Sequence, residues 1–158
     1  MKGFFNKLEE NILLLVLAFS VFLIFIQVIM RYVFGQSLSW SEELARYLFI
    51  WYTWTGTSLA VRYKKHIRIE ILKDLIHARA KLYIELLVLI LWGGFSVFLG
   101  IKGVQVIKVL ARSGQTSAAL EIPMTFVYAA IPFGCFLMFL RLLMEAKDIV
   151  QQLKTEEA

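Results

Sequence analysis

Ile12-Leu-Leu-Leu-Val-Leu-Ala-Phe-Ser-Val-Phe-Leu-Ile-Phe-Ile-Gln-Val-Ile-Met30 is a run of nineteen residues broken only by Ser20 and Gln27. A helix of that length is enough to cross the ~30 Å hydrocarbon core of a bilayer. A secretory signal would have a shorter core followed by a small-residue cleavage site, whereas Arg31-Tyr32 follows here. The run is read as a retained transmembrane helix, since the bilayer leaves no other local way to satisfy its backbone polar groups.

Working outward, the chain of 158 residues is 59% hydrophobic and its mean hydropathy is +0.71. A soluble domain usually carries about 45–50% apolar residues, and the excess here is gathered into blocks. Those blocks predict an all-α integral membrane protein with four transmembrane helices, at roughly 12–30, 44–61, 82–101 and 123–144. No linker or repeat divides residues 1–158, so a single membrane domain is expected. The net charge of +5 sits between apolar spans, which suits topology and lipid contact rather than nucleic acid. Cys135 is the single cysteine and lies within an apolar span, so no intrachain disulfide can form.

The second span is framed by unusual polar residues. Ser39-Trp40-Ser-Glu42 has capping-box spacing, and Glu42 and Glu43 complement the positive end of the helix dipole. Arg46 follows one turn after Glu42, a natural helical ion pair. The same residues can equally tie this helix to a neighbouring subunit or present a docking surface. Trp51 and Trp54 enrich the span, and Gly56 with Ala60 forms a small-xxx-small pair that admits a close helix neighbour.

At its far end stands the densest basic cluster, Arg62, Lys64, Lys65, Arg68, Lys73, Arg79 and Lys81. Apolar positions within 62–81 cover one arc at helical spacing, so a short amphipathic helix lying in the membrane interface is expected, its cations anchoring it to phospholipid. Arg68 falls inside the apolar arc and would snorkel to the headgroups. Four spans put the two termini and this segment on one side, with twelve Lys and Arg against five on the other. The positive-inside rule therefore predicts cytoplasmic termini, with Ser37–Arg46 facing out.

Ionisable groups near the spans are candidates for function by default. Glu85 is close enough to Lys81 for an interfacial ion pair, Arg141 can snorkel, and Gln27 can bond between helices. No helix carries paired acids near its midpoint or a broken centre flanked by Gly or Pro, the usual construction of substrate and ion sites in secondary transporters. His66 and His77 belong to the basic segment rather than to a span, which argues against haem ligation. No nucleophile triad, phosphate loop or metal-ligand spacing appears, and Gly93-Gly94 reads as a helix contact. Two rival readings are a self-sufficient proton-coupled exporter using Glu85 and a membrane anchor for a redox complex.

Arg31-Tyr-Val-Phe-Gly35, Ser39-Trp40-Ser-Glu42-Glu43-Leu-Ala-Arg46, Trp51, Gly56, Arg62 and His66-Ile-Arg-Ile-Glu70 together resemble the small membrane subunit of tripartite ATP-independent periplasmic (TRAP) transporters, the DctQ-like family. Departures are Glu70, where the family often has Asp, and Lys64-Lys65, where glycine is common. The resemblance implies a non-catalytic scaffold and docking subunit in the bacterial inner membrane. Its partners would be a large transmembrane transport subunit and a periplasmic substrate-binding protein, importing organic acids such as dicarboxylates or sialic acid. No cofactor is implied for this subunit, and the coupling sodium is expected in the large one. Trp40, Glu42, Glu43, Arg46, Trp51, Gly56 and Ala60 are the residues expected at a partner interface.

Overall fold

A computed structural model describes residues 2–63 and 78–156, with side chains described for 7–61 and 82–153. Five helices account for nearly all of it: α1 (Lys2–Tyr32), α2 (Ser39–Tyr63), α3 (Ala78–Ser113), α4 (Met124–Tyr128) and α5 (Ala130–Glu156). The expected amphipathic segment 62–81 lies outside the described residues, apart from the backbone that ends α2 and opens α3. Three stretches are long and apolar enough to cross a membrane: Lys7–Tyr32, Leu82–Ser113 and Met124–Leu153. The 25-residue α2 has the length to cross, but its mean hydropathy does not reach that of the other three.

Local chemistry sets the helix ends. Gly35 sits in the left-handed region at φ 65°, and the Gln36 N–H closes back on the Met30 carbonyl at 3.0 Å, so a left-handed glycine turns the chain out of α1 and caps one of its last carbonyls. The start of α2 differs from the capping-box expectation. The Leu38 carbonyl accepts from Ser41 N (3.1 Å), Glu42 N (3.4 Å) and Ser41 Oγ (2.9 Å), so the helix begins one residue early. Glu42 is then out of register with the cap, and its carboxylate is used elsewhere.

The last span is also interrupted. Pro132 has no N–H to offer the Tyr128 carbonyl four residues back, and its ring crowds that carbonyl. Helix α4 accordingly ends at Tyr128 and α5 restarts at Ala130, near the beginning of the span rather than its centre. Pro123 serves as the N-cap residue of α4, and Glu121 lies before it in a turn, at φ 55°.

The helices form an open layer, in the spatial order α1, α2, α5, α3. Antiparallel α1 and α2 pair first, α2 and α5 run parallel, and α3 lies antiparallel along the far side of α5. Small residues let the middle helices approach. Gly134 faces the Trp54 backbone, Gly103 faces Ile131 and Pro132, and Gly100 faces Cys135. Ser96, fully buried, donates from its hydroxyl to the Cys135 carbonyl at 2.8 Å. At the end of the layer where α2 finishes, Val61, Met138 and Leu142 make a small core, with Leu89 and Trp92 packed against it.

Most large apolar side chains face outward, among them Leu15, Phe25, Leu91 and Phe136. That is expected of helices whose solvent is lipid, where packing and hydrogen bonds rather than apolar burial hold neighbours together. Two polar clamps fasten α1. Gln27 bonds to Glu42 of α2 at 2.9 Å, and Glu9 pairs with Arg141 of α5. They stand eighteen residues apart on α1, roughly 27 Å along its axis, close to the hydrocarbon thickness of a bilayer.

Candidate subunit-docking site

The polar start of α2 divides into two faces. Glu43, Tyr47, Trp51, Trp54 and Ser58 recur at three- and four-residue spacing and point toward α5 and its leading loop. The Tyr47 hydroxyl donates to Glu43 Oε1 at 2.5 Å. Backbone N–H groups of Ala119 and Leu120 donate to Oε2 at 2.8 and 2.9 Å, and that of Ala118 to Oε1 at 3.2 Å. Glu43 thus gathers the three amides of a turn that begins beyond α3. The Tyr47 hydrogen bond is the main cause of a carboxyl pKa held down to about 2; burial opposes it, and the three amides add to it.

That turn is itself ordered. Ser117 N donates to the Ile122 carbonyl at 2.9 Å, Ile122 N to Ser117 Oγ at 3.3 Å, and Met124 N to the Gln115 carbonyl at 3.0 Å. Thr116 and Pro123 form an isolated antiparallel bridge. What reads in sequence as a plain loop is a compact element bolted to the start of α2. Trp51 sits half-buried below it, its ring 5.5 Å from Phe126 and 5.8 Å from Phe133. Glu43 and Trp51, both expected at a partner interface, are engaged by the chain's own α4–α5 end.

The other face carries Glu42, Arg46, Phe49, Thr53, Gly56 and Ala60, again at three- and four-residue spacing. Together they make a stripe eighteen residues long, roughly 27 Å. Arg46 Nη2 meets Glu42 Oε1 at 3.2 Å, in an ion pair whose side chains remain 65% and 49% exposed. Phe49 and Thr53 are exposed, and a methyl group placed on Gly56 would meet nothing within 4 Å. Trp40 is 45% exposed at the helix start. The threonine hydroxyls of α2 are satisfied within the helix: Thr53 donates to the Phe49 carbonyl (2.8 Å), Thr55 to Trp51 (2.6 Å) and Thr57 to Trp54 (2.7 Å). Its lower hydropathy therefore leaves those groups with no need of water.

Among the described residues no group of three or more His, Cys, Asp or Glu is placed to hold a metal ion. Glu85 is half-buried on α3, and the side chain of Lys81, its expected partner, lies outside the described set, as do those of Arg62, Lys64, Lys65, Arg68, Lys73 and Arg79. Sequence reasoning missed Glu43 as a backbone clamp and Pro132 as a helix breaker. The first had a signal in the stripe it shares with Tyr47 and Trp51, the second in its place ten residues into an apolar run.

The family model for the DctQ component of tripartite ATP-independent periplasmic transporters matches residues 20–152. The chain belongs to that family. It is 35% identical over 115 residues to the C4-dicarboxylate TRAP transporter small permease protein DctQ of Rhodobacter capsulatus, covering 71% of this chain and 49% of that one. It is 31% identical over 145 residues to the sialic acid TRAP transporter permease protein SiaT of Haemophilus influenzae, covering 87% and 22%. It is 27% identical over 129 residues to the ectoine TRAP transporter small permease protein TeaB of Halomonas elongata, covering 82% and 67%. The chain spans about half the length, or less, of the first curated relatives it matches. This small TRAP permease component is a multi-pass membrane protein of a transport family, not an enzyme.

Proposed function

We propose that the chain is the scaffold and docking subunit of a sodium-coupled, binding-protein-dependent importer of organic acids in the bacterial inner membrane. In this reading α2 is the fourth span, both termini are cytoplasmic, and the Trp40–Arg46 end faces the periplasm. The observation that carries it is the open stripe of α2. Below Glu42, which Gln27 holds to α1, the face continues through Arg46, Phe49, Thr53, Gly56 and Ala60, and Phe49 and Thr53 remain exposed.

Gly56 and Ala60 give the inner half of that face the small surface a partner helix needs for close approach. The large transport subunit is the partner assigned to it. Relatives in which a matching region makes up about a fifth of a longer permease protein support such a neighbour. Trp40, Glu42 and Arg46, with the clamped turn 118–120 beside them, would offer the periplasmic binding protein a rigid landing edge. Arg62, Lys64, Lys65, Arg68, Lys73, Arg79 and Lys81 would hold the cytoplasmic side to anionic phospholipid, at about 1 kcal/mol per well-placed cation. The substrate itself would be set by the other two components.

The test is purification in mild detergent with identification of what accompanies the chain, followed by uptake in reconstituted vesicles. Co-purification of a larger permease, weakened by Gly56→Leu while the isolated chain stays folded, is expected. A chain that is recovered alone and supports no binding-protein-dependent uptake with any permease would overturn the assignment.

A further inference from the structure

The outer half of the α1–α2 seam is not filled. Small buried Ser20 and Ala45 make the floor of an open groove of about 610 Å³, and Val21, Ile24 and Phe49 make exposed walls. From Leu17 to Arg31 it runs fourteen residues along α1, roughly 21 Å. That length corresponds to one leaflet, about half of the ~30 Å hydrocarbon core plus its headgroup zone. Apolar walls occupy the tail depth, where the Ser20 hydroxyl is turned to the Val16 carbonyl at 2.8 Å, and the other polar groups stand at the outer rim.

The rim is cationic. Arg31 and Arg46 flank the mouth, with Tyr32 beside them. Glu42 balances Arg46, and the Gln27 amide donating to Glu42 fixes the carboxylate against α1. The Arg46 side chain, paired with Glu42, remains 65% exposed. Arg31 has no acidic partner among the described residues, so the rim keeps one uncompensated positive charge beside the Glu42-paired guanidinium of Arg46. Guanidinium groups suit phosphate oxygens because their planar donor fork matches them.

We infer that this groove is a specific phospholipid site. One acyl tail would lie along Val21, Ile24 and Phe49, and the phosphate of an anionic headgroup would sit between Arg31 and Arg46. A helix seated there would have to bring its own anion to the same depth, whereas a phospholipid supplies the tail and the anion in one molecule. The inference rests on the outward placement of this end of the layer and not on pairing with a large subunit. A tail held here would widen the α1 side of the layer and fill the seam that the two helices leave open.

The experiment uses the full chain in phosphatidylcholine vesicles carrying traces of spin-labelled phosphatidylglycerol or spin-labelled phosphatidylcholine. Electron paramagnetic resonance reads the motionally restricted fraction of each. A preference for phosphatidylglycerol is expected, falling roughly fivefold in Arg31→Gln and again in Arg46→Gln, the equivalent of about 1 kcal/mol for each arginine. The basic segment 62–81 contributes equally to all samples, so the difference isolates the groove. Arg112→Gln, a cation at the outer end of α3, is expected to leave the preference unchanged. Val21→Trp, on the exposed wall, fills the groove without touching the rim and is expected to lower the restricted fraction of both lipids.

Equal preference in wild type and both rim variants, with circular dichroism confirming folded chains, overturns the site. So does displacement of the restricted lipid by an added large subunit whose binding needs Arg31, because the groove would then be a helix seat. A restricted lipid in a chain that captures no permease leaves the site standing and removes only the assembly reading.

Discussion

Gly134→Ala tests how closely α2 and α5 must approach. A methyl group at Gly134 would fall onto the Trp54 carbonyl, 2.7 Å from its carbon and 2.9 Å from Trp54 Cβ. Backbone atoms of a packed helix cannot rotate aside, so α2 and α5 would have to separate by roughly 0.5–1 Å. Overpacking of that kind costs about 1–3 kcal/mol. Replacing glycine within a helix returns roughly 0.5–1 kcal/mol, so a net loss of about 1–2 kcal/mol is expected. Gly103→Ala meets the Ile131 Cγ2 at 2.9 Å and the Pro132 Cδ at 3.0 Å, where the isoleucine can partly yield, and should cost less. Gly56→Ala meets nothing and should be neutral or slightly stabilising in the isolated chain. Reversible unfolding in mixed micelles, titrated with dodecyl sulfate and followed by tryptophan fluorescence, ranks the three, with Trp54 reporting directly on the crossing. Equal midpoints for Gly134→Ala and Gly56→Ala would refute the close-packed seam.

Three further outcomes follow from the same geometry. The Glu43 carboxyl titrates near 2 in the folded chain against an ordinary value of 4.5, so its contribution is complete above about pH 4.5 and is lost as pH falls toward 2. Hydrogen-exchange protection of the Ala118, Ala119 and Leu120 amides should persist to about pH 3, collapse near pH 2, and be lost throughout in Glu43→Gln; pH-independent protection would contradict the clamp. Ser96→Ala removes the buried bond to the Cys135 carbonyl and should lower stability by roughly 0.5–1.5 kcal/mol in the same micelle titration, the range of interhelical bonds in membranes. Glu9→Gln leaves Arg141, 16% exposed, without its counter-charge and should cost about 1–3 kcal/mol, partly restored by Arg141→Gln in the double variant; additive losses would show that the two do not act as a pair.

The spans were legible because lipid imposes a length and a composition that nothing else in the chain imitates. Hydropathy located three apolar helices but not their ends: against the expected 12–30, 82–101 and 123–144, the apolar helical stretches run Lys7–Tyr32, Leu82–Ser113 and Met124–Leu153, because a helix does not stop where its apolar block does. What hydropathy could not supply was the order of the helices in the layer. That order depends on whether a small residue on one helix meets a small residue or a backbone on another, as Gly134 meets Trp54. It also depends on polar pairs far apart in sequence, such as Glu9 with Arg141. The α2 start shows the same limit at finer scale. Glu42 and Glu43 are adjacent acids with the same propensities, yet one faces α1 and Arg46 while the other clamps three amides some 75 residues away in the chain. A one-residue shift of the cap, set by the Leu38 carbonyl, does not follow from the capping-box pattern.

The low hydropathy of α2 follows from its position. It stands between α1 and α5, so two of its sides meet protein, and its threonines return their hydroxyls to its own backbone. A helix so placed needs less apolar surface than α1 or α3 at the edges. One face is left with Phe49 and Thr53 exposed and with only Gly56 and Ala60 beyond them, where a lone lipid-facing helix would carry Leu or Phe throughout. Among the described residues the helices pack chiefly in the order α1, α2, α5, α3, with α1 also reaching α5 through Glu9 and Arg141. The part of the α2 face around Phe49 and Thr53 is left uncovered by the chain's own helices.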